Sequence, residues 1–192
     1  MNTHHLAAVA LLGLLGCTST TTPSDPEAWL IRPPITGSVA AAPASAPVLR
    51  IASTEVAAHL RGLVVVARDG RVKTFVGHRF AAPIGAMVED SLRAALATNG
   101  KFRLVLGATS PLRSDRVLRV NVRQFEIAQA DTGWEAVVTL AMTVENDDRQ
   151  ILLSPVVKGV APCDGETPRA FVAALENALG MALLDASRAV TP

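Results

Sequence analysis

The sequence predicts a mixed α/β domain of the α+β class, with a twisted, largely antiparallel sheet and two amphipathic helices. Within its 192 residues, several runs of β-branched or alternating apolar residues are separated by turn residues, which is the pattern of strands joined by hairpins. Two other segments repeat apolar residues at positions i, i+3 and i+4, which is typical of helices with one buried face. The length suits one domain with a tether.

The first predicted elements are a strand and a hairpin. Residues 48–53 are apolar enough to form the strand. Residues 63–67 form a β-branched run, and residues 72–76 form a second run after Asp69-Gly70. Aspartate followed by glycine favours the tight turn of a two-stranded hairpin, so we predict that these two runs pair.

A helix and a short strand follow. Pro83 is predicted to begin the helix and Asn99-Gly100 to end it, since proline is favoured at the first position of helices and glycine just past their ends. The predicted buried face consists of Ile84, Met87, Val88, Leu92, Ala95 and Leu96. Residues 102–106 are predicted to form the next strand.

The remaining elements are three long strands and a second helix. Residues 117–127 alternate, but the parity of the apolar residues changes once, which predicts a β-bulge near Arg123-Gln124. Residues 134–144 and 151–160 are predicted to continue the sheet. Thr167-Pro168 then provides a helix cap and first residue. The buried face of this helix is predicted to comprise Phe171, Val172, Leu175, Leu179, Ala182, Leu183 and Val190.

The N-terminus resembles a bacterial lipoprotein signal. An unbroken apolar run from Leu6 to Gly16 has the length of a secretory signal core and is too short to span a bilayer. Gly16 directly precedes Cys17, as suits a peptidase that cuts ahead of a lipid-modified cysteine. We therefore predict that residues 1–16 are a signal peptide and that Cys17 becomes the lipidated first residue. The alternatives are a plain cleaved signal and a chance apolar N-terminus with an incidental cysteine.

Residues 17–47 are predicted to be a flexible tether, because they contain half of the prolines and long stretches of Ser, Thr and Ala. Within this segment, Trp29 to Ile31 is an apolar island. Since an exposed tryptophan is unfavourable, we expect the island to dock on the domain as an edge strand. The single folded domain is predicted to span residues 48–192.

Charge and composition argue against several classes of function. A net charge of +1 argues against a nucleic-acid binder and a polybasic membrane patch, so the lipid alone is expected to hold the chain at a membrane. After lipidation of Cys17, Cys163 is the remaining thiol, and His59 and His78 are the histidines of the mature chain. These residues are too few for a zinc site. We predict no catalysis, no metal and no cofactor apart from the covalent lipid on Cys17.

The order of these elements resembles the ABC-type transport auxiliary lipoproteins, the PqiC-like partners of MCE lipid-transport systems. The lipoprotein cysteine, the proline-rich tether with Trp29-Leu30 and the hairpin are similar to that family. Residues 79–84, Arg-Phe-Ala-Ala-Pro-Ile, lead into the first helix where the family typically has Arg-Trp-Ala-Glu-Pro-Leu. Residues 99–103 stand where the family's Gly/Arg-Phe-Arg phrase follows this helix. The later strand with Val120 and Phe125 also fits.

The resemblance implies a three-layer α/β fold and a non-catalytic role. The chain would be an outer-membrane-anchored lipoprotein on the periplasmic face, auxiliary to an ABC/MCE-type system that moves lipids between the inner and outer membranes. Its partner would be the MCE-family protein. Thr18 replaces the aspartate that typically retains lipoproteins at the inner membrane, which favours the outer membrane.

Arg79 and Phe80 are our candidate partner-binding residues, because arginine and aromatic side chains dominate protein interfaces. The competing interpretation is that Phe80 completes the core and Arg79 is solvated. Two other functions also stay open. One is a binding lipoprotein of envelope assembly or secretion, and the other is a thiol-dependent periplasmic enzyme that uses Cys163 or His78. A homo-oligomer is compatible with the sequence.

Overall fold

The structure, a computed structural model, describes residues 27–35, 40–60, 65–68 and 71–191. The described strands of the first half are β1 (Glu27–Trp29), β2 (Val48–Ile51), β3 (Glu55–Val56), β4 (Val65–Arg68), β5 (Arg71–Thr74), β6 (His78–Phe80) and β7 (Leu104–Leu106). Those of the second half are β8 (Arg116–Ala130), β9 (Gly133–Asn146), β10 (Ile151–Leu153) and β11 (Val156–Pro162). The helices are α1 (Ile84–Thr98) and α2 (Pro168–Ala189), and a single 3-10 turn covers Ala58–Leu60.

The centre of the fold is the antiparallel pair of β8 and β9. Val122 lies opposite Leu140 and Phe125 lies opposite Val138, with a register shift between Val122 and Gln124. This shift confirms the predicted bulge. Because the extra residue resets the alternation, Val122 and Phe125 both point into the core, and both are fully buried.

The other strands extend this pair into one large sheet. Its strand order is β10-β9-β8-β2-β7, with β11 also paired to β9 and with β3 and β4 paired to β8. The long pairings, β8 with β9 and β9 with β11, are antiparallel, whereas β2, β3 and β4 meet β8 in short parallel pairings. β4 and β5 form the predicted antiparallel hairpin. The predicted mixed, largely antiparallel fold class is therefore confirmed.

Both helices cover the same face of this sheet. The buried side of α1 and the buried side of α2 join one hydrophobic core with the apolar residues of β8 and β9. The approach is very close at Gly159 of β11, where an added Cβ would lie 1.8 Å from the Ala178 carbonyl oxygen of α2. The described residues thus show two of the three layers that the resemblance implies.

The termini of α2 are held by side chains. At its start, the Thr167 hydroxyl accepts a hydrogen bond from Ala170 N at 3.2 Å, as its predicted capping role requires. At its end, Lys101 Nζ donates to the carbonyl oxygens of Ser187 and Arg188 at 2.9 and 3.2 Å. Although α2 is long and apolar enough to cross a membrane, its apolar side is part of the core of this domain.

The predicted continuous strand over residues 151–160 is wrong in one respect. The structure divides it into β10 and β11 at Ser154 and Pro155. Proline has no N–H to donate to a neighbouring strand, so the ladder is interrupted there. The Pro155 carbonyl oxygen still accepts from Met142 N at 2.9 Å, which keeps both pieces beside β9.

The chain ahead of β2 contacts the domain at several of its described residues. Strand β1 pairs in parallel with β6 in a separate two-stranded sheet, and Trp29 and Ile31 are each 3% exposed. Beyond β1, residues 30–35 cross the helices: Arg32 N donates to the Glu176 carboxylate at 2.8 Å. The core therefore includes Trp29 and Ile31, which precede residue 48, the predicted start of the domain.

Candidate docking site

The two residues that the sequence singled out lie in different environments. Phe80 is 6% exposed, and its ring contacts Phe125 edge-on at a centroid distance of 5.5 Å. Arg79, next to it on β6, is exposed. Neighbouring residues of a strand point to opposite sides, so Phe80 completes the core while Arg79 faces solvent. Only Arg79 can meet a partner without unfolding this part of the domain.

Phe80 belongs to an aromatic cluster that fixes the start of α1. Trp29 lies 6.5 Å from Phe80 and 5.8 Å from Phe75, measured between ring centroids. Phe75 in turn contacts Phe171 of α2 at 5.7 Å. Edge-on and tilted ring pairs of this kind stabilise beyond their buried area. The cluster thus locks β1, β6 and α2 together directly ahead of α1.

A cleft of about 740 Å³ opens at the start of α1. Residues 53–56, between β2 and the 3-10 turn, form one wall, and residues 83–86 form the other, with Leu60, Glu89 and Asn121 completing the lining. The walls are close at Gly85, where an added Cβ would lie 3.0 Å from the Thr54 carbonyl oxygen. The volume suits a side chain or a short segment of a partner.

The cleft combines two carboxylates with the positive end of a helix. Glu55 accepts a hydrogen bond from Asn121 Nδ2 at 3.2 Å, and Glu89 accepts one from Ala108 N at 3.2 Å. Pro83 precedes α1 and provides no side-chain cap, so the first N–H groups of the helix are available for an acceptor. The cleft therefore offers both acceptors and donors to a polar partner segment.

A second, more apolar groove lies on the other side of the first turns of α1. Its volume is about 380 Å³, and it shares Ala86 with the cleft. Residues 30–33 and Ile35 form its outer wall, and Met87 contributes from the helix. Leu30 and Ile35 are 44% and 38% exposed. A polar cleft on one side of the helix start and an apolar groove on the other offer a partner two kinds of contact.

The arrangement around Cys163 does not resemble that of a thiol enzyme. Burial, followed by the charges of Asp164 and Glu135, raises the pKa of the Cys163 thiol to about 11. At neutral pH the thiol is therefore protonated and a poor nucleophile. His78 stacks on Phe75 at 4.6 Å, and its Nδ1 lies 3.4 Å from a Glu27 carboxylate oxygen.

Three aromatic rings form a chain of contacts between Cys163 and His78. Phe75 contacts Phe171 at 5.7 Å, Phe171 contacts Trp134 at 6.2 Å, and Cys163 N donates to the Trp134 carbonyl oxygen at 2.8 Å. No hydrogen bond joins the two candidate residues, whereas a catalytic nucleophile and its base lie within hydrogen-bond reach of each other. Among the described residues, no group of three or more His, Cys, Asp and Glu could hold a metal ion.

The sequence does not predict the cleft, although it places two of the lining residues, Pro83 and Ile84, at the start of the first helix. Residues 53–56 carry no sequence motif that predicts their contact with α1. Their proximity depends on the parallel pairing of β3 with β8, in which Val56 lies opposite Val122. Cys17 and the predicted signal peptide lie outside the described residues.

Comparison with known proteins agrees with this fold. The family model described as ABC-type transport auxiliary lipoprotein component matches residues 30–185. Protein XCC0632 from Xanthomonas campestris, a DUF330 protein, has a TM-score of 0.73 and 24% identity, covering 83% of this chain and 91% of its own. An uncharacterized protein of known structure has a TM-score of 0.60 and 17% identity, covering 84% of this chain and 98% of its own. At these identities the two structures share the fold alone, and no curated protein matches the sequence. The match over residues 30–185 places the chain in the family of ABC-type transport auxiliary lipoprotein components.

Proposed function

We propose that this protein is a non-catalytic lipoprotein, anchored on the periplasmic face of the outer membrane, that serves an ABC/MCE-type lipid transport system. The observation that carries the proposal is the family match over residues 30–185. ATP hydrolysis and lipid extraction belong to other subunits, and this domain holds the outer-membrane end of the conduit formed by the MCE-family protein. The covalent lipid on Cys17 supplies the anchor.

The surroundings of the candidate catalytic residues support a non-catalytic role. The pKa of the Cys163 thiol is raised to about 11, and His78 is stacked in the aromatic cluster. Neither residue is arranged to activate the other. The chemistry that an auxiliary subunit needs is instead recognition of another protein, which surface grooves and unpaired charged groups provide.

We propose that the MCE-family protein docks at the start of α1. The cleft beside Gly85 and the groove beside Met87 together flank the first two turns of the helix. Arg79 is exposed next to this region, and no hydrogen bond or ion pair to another described residue is present for its guanidinium. An arginine without an internal partner is free to bind a carboxylate of the docked protein.

The transport role is tested by purification of the tagged, lipidated protein from detergent-solubilised envelopes of the bacterium that encodes it. We expect an MCE-family protein, with its permease and ATPase, to be enriched in the eluate. Mass spectrometry of the eluate identifies them. If no component of an ABC transporter is recovered with the wild-type protein, the proposed function is wrong.

The docking surface is tested with Arg79→Glu. Charge reversal at an interface arginine is expected to lower recovery of the partner by about tenfold or more, because it replaces an attraction with a repulsion. Arg113→Glu is the matched control, since Arg113 is also an exposed arginine, lies between β7 and β8, and lines neither the cleft nor the groove. Equal recovery with both variants removes Arg79 from the interface. The melting temperature of both variants should stay close to that of the wild type.

The anchor is tested with Cys17→Ala. We expect this precursor to incorporate no labelled fatty acid and to escape the lipoprotein peptidase, because the acylated sulfur is missing. Fractionation of wild-type cells should place the mature protein with outer-membrane markers. Normal acyl labelling of Cys17→Ala would exclude Cys17 as the site of lipidation, and recovery with the inner membrane would correct the assigned location.

A further inference from the structure

The β4–β5 hairpin and the turn after it expose apolar and basic side chains together. All four residues of β5 are exposed, among them Arg71, Val72 and Lys73. Val76, in the following turn, is 89% exposed, and Val72 is 53% exposed. We call Arg71, Val72, Lys73 and Val76 the hairpin patch. A valine with nearly all of its surface in water is unfavourable unless something covers it.

The charges of the hairpin patch are not neutralised by any other residue that the structure describes. Among the described residues, neither Arg71 nor Lys73 has a hydrogen-bond or ion-pair partner. The carboxylate of Glu27, on the adjoining β1, lies 3.4 Å from His78 Nδ1. The net charge of +1 for the whole chain does not reveal such a local grouping. Two basic groups beside two exposed valines match the interface of an anionic bilayer, with headgroups outside and acyl chains beneath.

Glu27, the described residue nearest in sequence to the lipid anchor, lies at this same patch. Glu27, the first described residue, donates its N–H to the Gly77 carbonyl oxygen at 2.9 Å, directly beside Val76. Ten Cα–Cα steps lead from Cys17 to Glu27, with nine residues between them. Fully extended, they can span at most about 35 Å. The lipid on Cys17 therefore holds this end of the domain close to the bilayer.

A similar patch at the other end of the sheet serves as an internal comparison. Leu104 and Leu112 are 44% and 55% exposed, next to the exposed Arg103 and Arg113. This edge is joined to β8 at residues 116–118, through β7 and β2, whereas the hairpin is joined to β8 at residues 126–128. The centres of the two junctions lie ten positions apart along β8, which is about 33 Å of strand. This second patch resembles the hairpin patch in composition, but Glu27 and the anchor do not lie beside it.

We propose that the hairpin patch rests on the anionic lipid surface that holds the anchor, with Val72 and Val76 entering the headgroup layer and Arg71 and Lys73 binding lipid phosphates. The proposal rests on the lipid anchor of the proposed function. The hairpin patch gives the domain a second contact with the membrane, in addition to the lipid on Cys17. Two contacts fix the orientation of the domain. The start of α1 is then presented in a defined direction for its partner.

The first test measures how deeply position 76 lies in a bilayer. The lipidated mature chain carries Cys163→Ser, which removes the internal thiol, together with Val76→Cys or the control Leu112→Cys. Each introduced cysteine is labelled with an environment-sensitive fluorophore, and the protein is inserted into vesicles of phosphatidylethanolamine and phosphatidylglycerol. We expect blue-shifted emission and protection from iodide at position 76, and water-like emission at position 112. On phosphatidylcholine vesicles, the protection at position 76 should weaken.

The second test removes the basic groups. In the mature chain without lipid, made as Cys17→Ala behind a general signal peptide, Arg71→Gln and Lys73→Gln should each lower binding to the anionic vesicles about fivefold. Arg103→Gln and Arg113→Gln at the other patch should leave binding unchanged. Cosedimentation with the vesicles measures all four.

Three results separate the possible failures. Equal quenching at positions 76 and 112 overturns the proposal, as does vesicle binding that is indifferent to Arg71→Gln and Lys73→Gln. Protection of position 76 that needs the copurified transporter subunits overturns it as well, because the patch is then a protein interface. Mass spectrometry of the mature N-terminus checks the anchor separately, so a missing lipid on Cys17 is recognised as a failure of the proposed function.

Discussion

Gly159→Ala tests whether the fold depends on direct contact between the backbones of β11 and α2. An alanine Cβ at this position would lie 1.8 Å from the Ala178 carbonyl oxygen and 2.9 Å from Ala182 N. Both atoms belong to the helix backbone, so neither can rotate away. Ordinary contact needs about 3.5 Å between such atoms, so helix and strand must separate by well over 1 Å.

A separation of this size is expensive because α2 contributes Leu175, Leu179 and Leu183 to the core, all at most 2% exposed. A gap of 0.5–1 Å already removes about a quarter to a half of the dispersion attraction across an interface. We therefore expect Gly159→Ala to cost about 3 kcal/mol or more. For a domain of this size, such a loss lowers the melting temperature by about 6–12 °C.

Thermal unfolding followed by far-UV circular dichroism measures this effect. Gly107→Ala is the matched control, because a Cβ at Gly107 would meet only the Glu89 carboxylate at an ordinary 3.5 Å. The control should unfold within about 2 °C of the wild type. If Gly159→Ala unfolds at the same temperature as Gly107→Ala, then α2 does not rest on β11 at this point, and the described packing is incorrect.

Three further predictions concern the helix cap, the thiol and the aromatic cluster. Thr167→Ala should lower the free energy of unfolding by about 1 kcal/mol in a urea titration, since it removes the acceptor for Ala170 N; an unchanged midpoint would contradict the cap. Alkylation of Cys163 by iodoacetamide, followed by mass spectrometry, should accelerate with pH up to about 11, because the reactive thiolate forms only as pH approaches the raised pKa, and a plateau near 9.0 would show an ordinary thiol. Phe80→Ala should cost about 3–5 kcal/mol of stability and Arg79→Ala less than about 0.5, and the reverse order would refute their placement.

The secondary structure could be predicted where local patterns decide it. The parity change between Val122 and Phe125 is visible in the sequence because a strand has a side-chain period of two, and it identified the bulge. The break between β10 and β11 was missed because the apolar run continues on both sides of Pro155. A proline in such a run indicates an interrupted ladder, and this was the signal that could have corrected the prediction.

The candidate site was less accessible from the sequence because its geometry is set by distant residues. Whether Phe80 is buried depends on Trp29 and Phe125, which lie about fifty positions away on either side and meet it only after folding. Arg and Phe side by side fit an interface and a core boundary equally well at the level of sequence. The hairpin patch could not be predicted from the sequence for the same reason. The exposure of Val76 beside Lys73 depends on the geometry of the turn.

The pairing of β1 with β6 has a mechanical consequence for a protein held at its N-terminus. A pull from the membrane reaches the domain at Glu27 and acts along β1, parallel to its partner strand. The bonds that Glu27 N and the Trp29 carbonyl oxygen make to Gly77 and Ala81 then share the load in shear and do not open one after another. Past β1, the bond from Arg32 N to Glu176 passes the remaining force to α2. With the proposed anchor on Cys17, a pull on the N-terminus would therefore be resisted at the small sheet before it reached the start of α1.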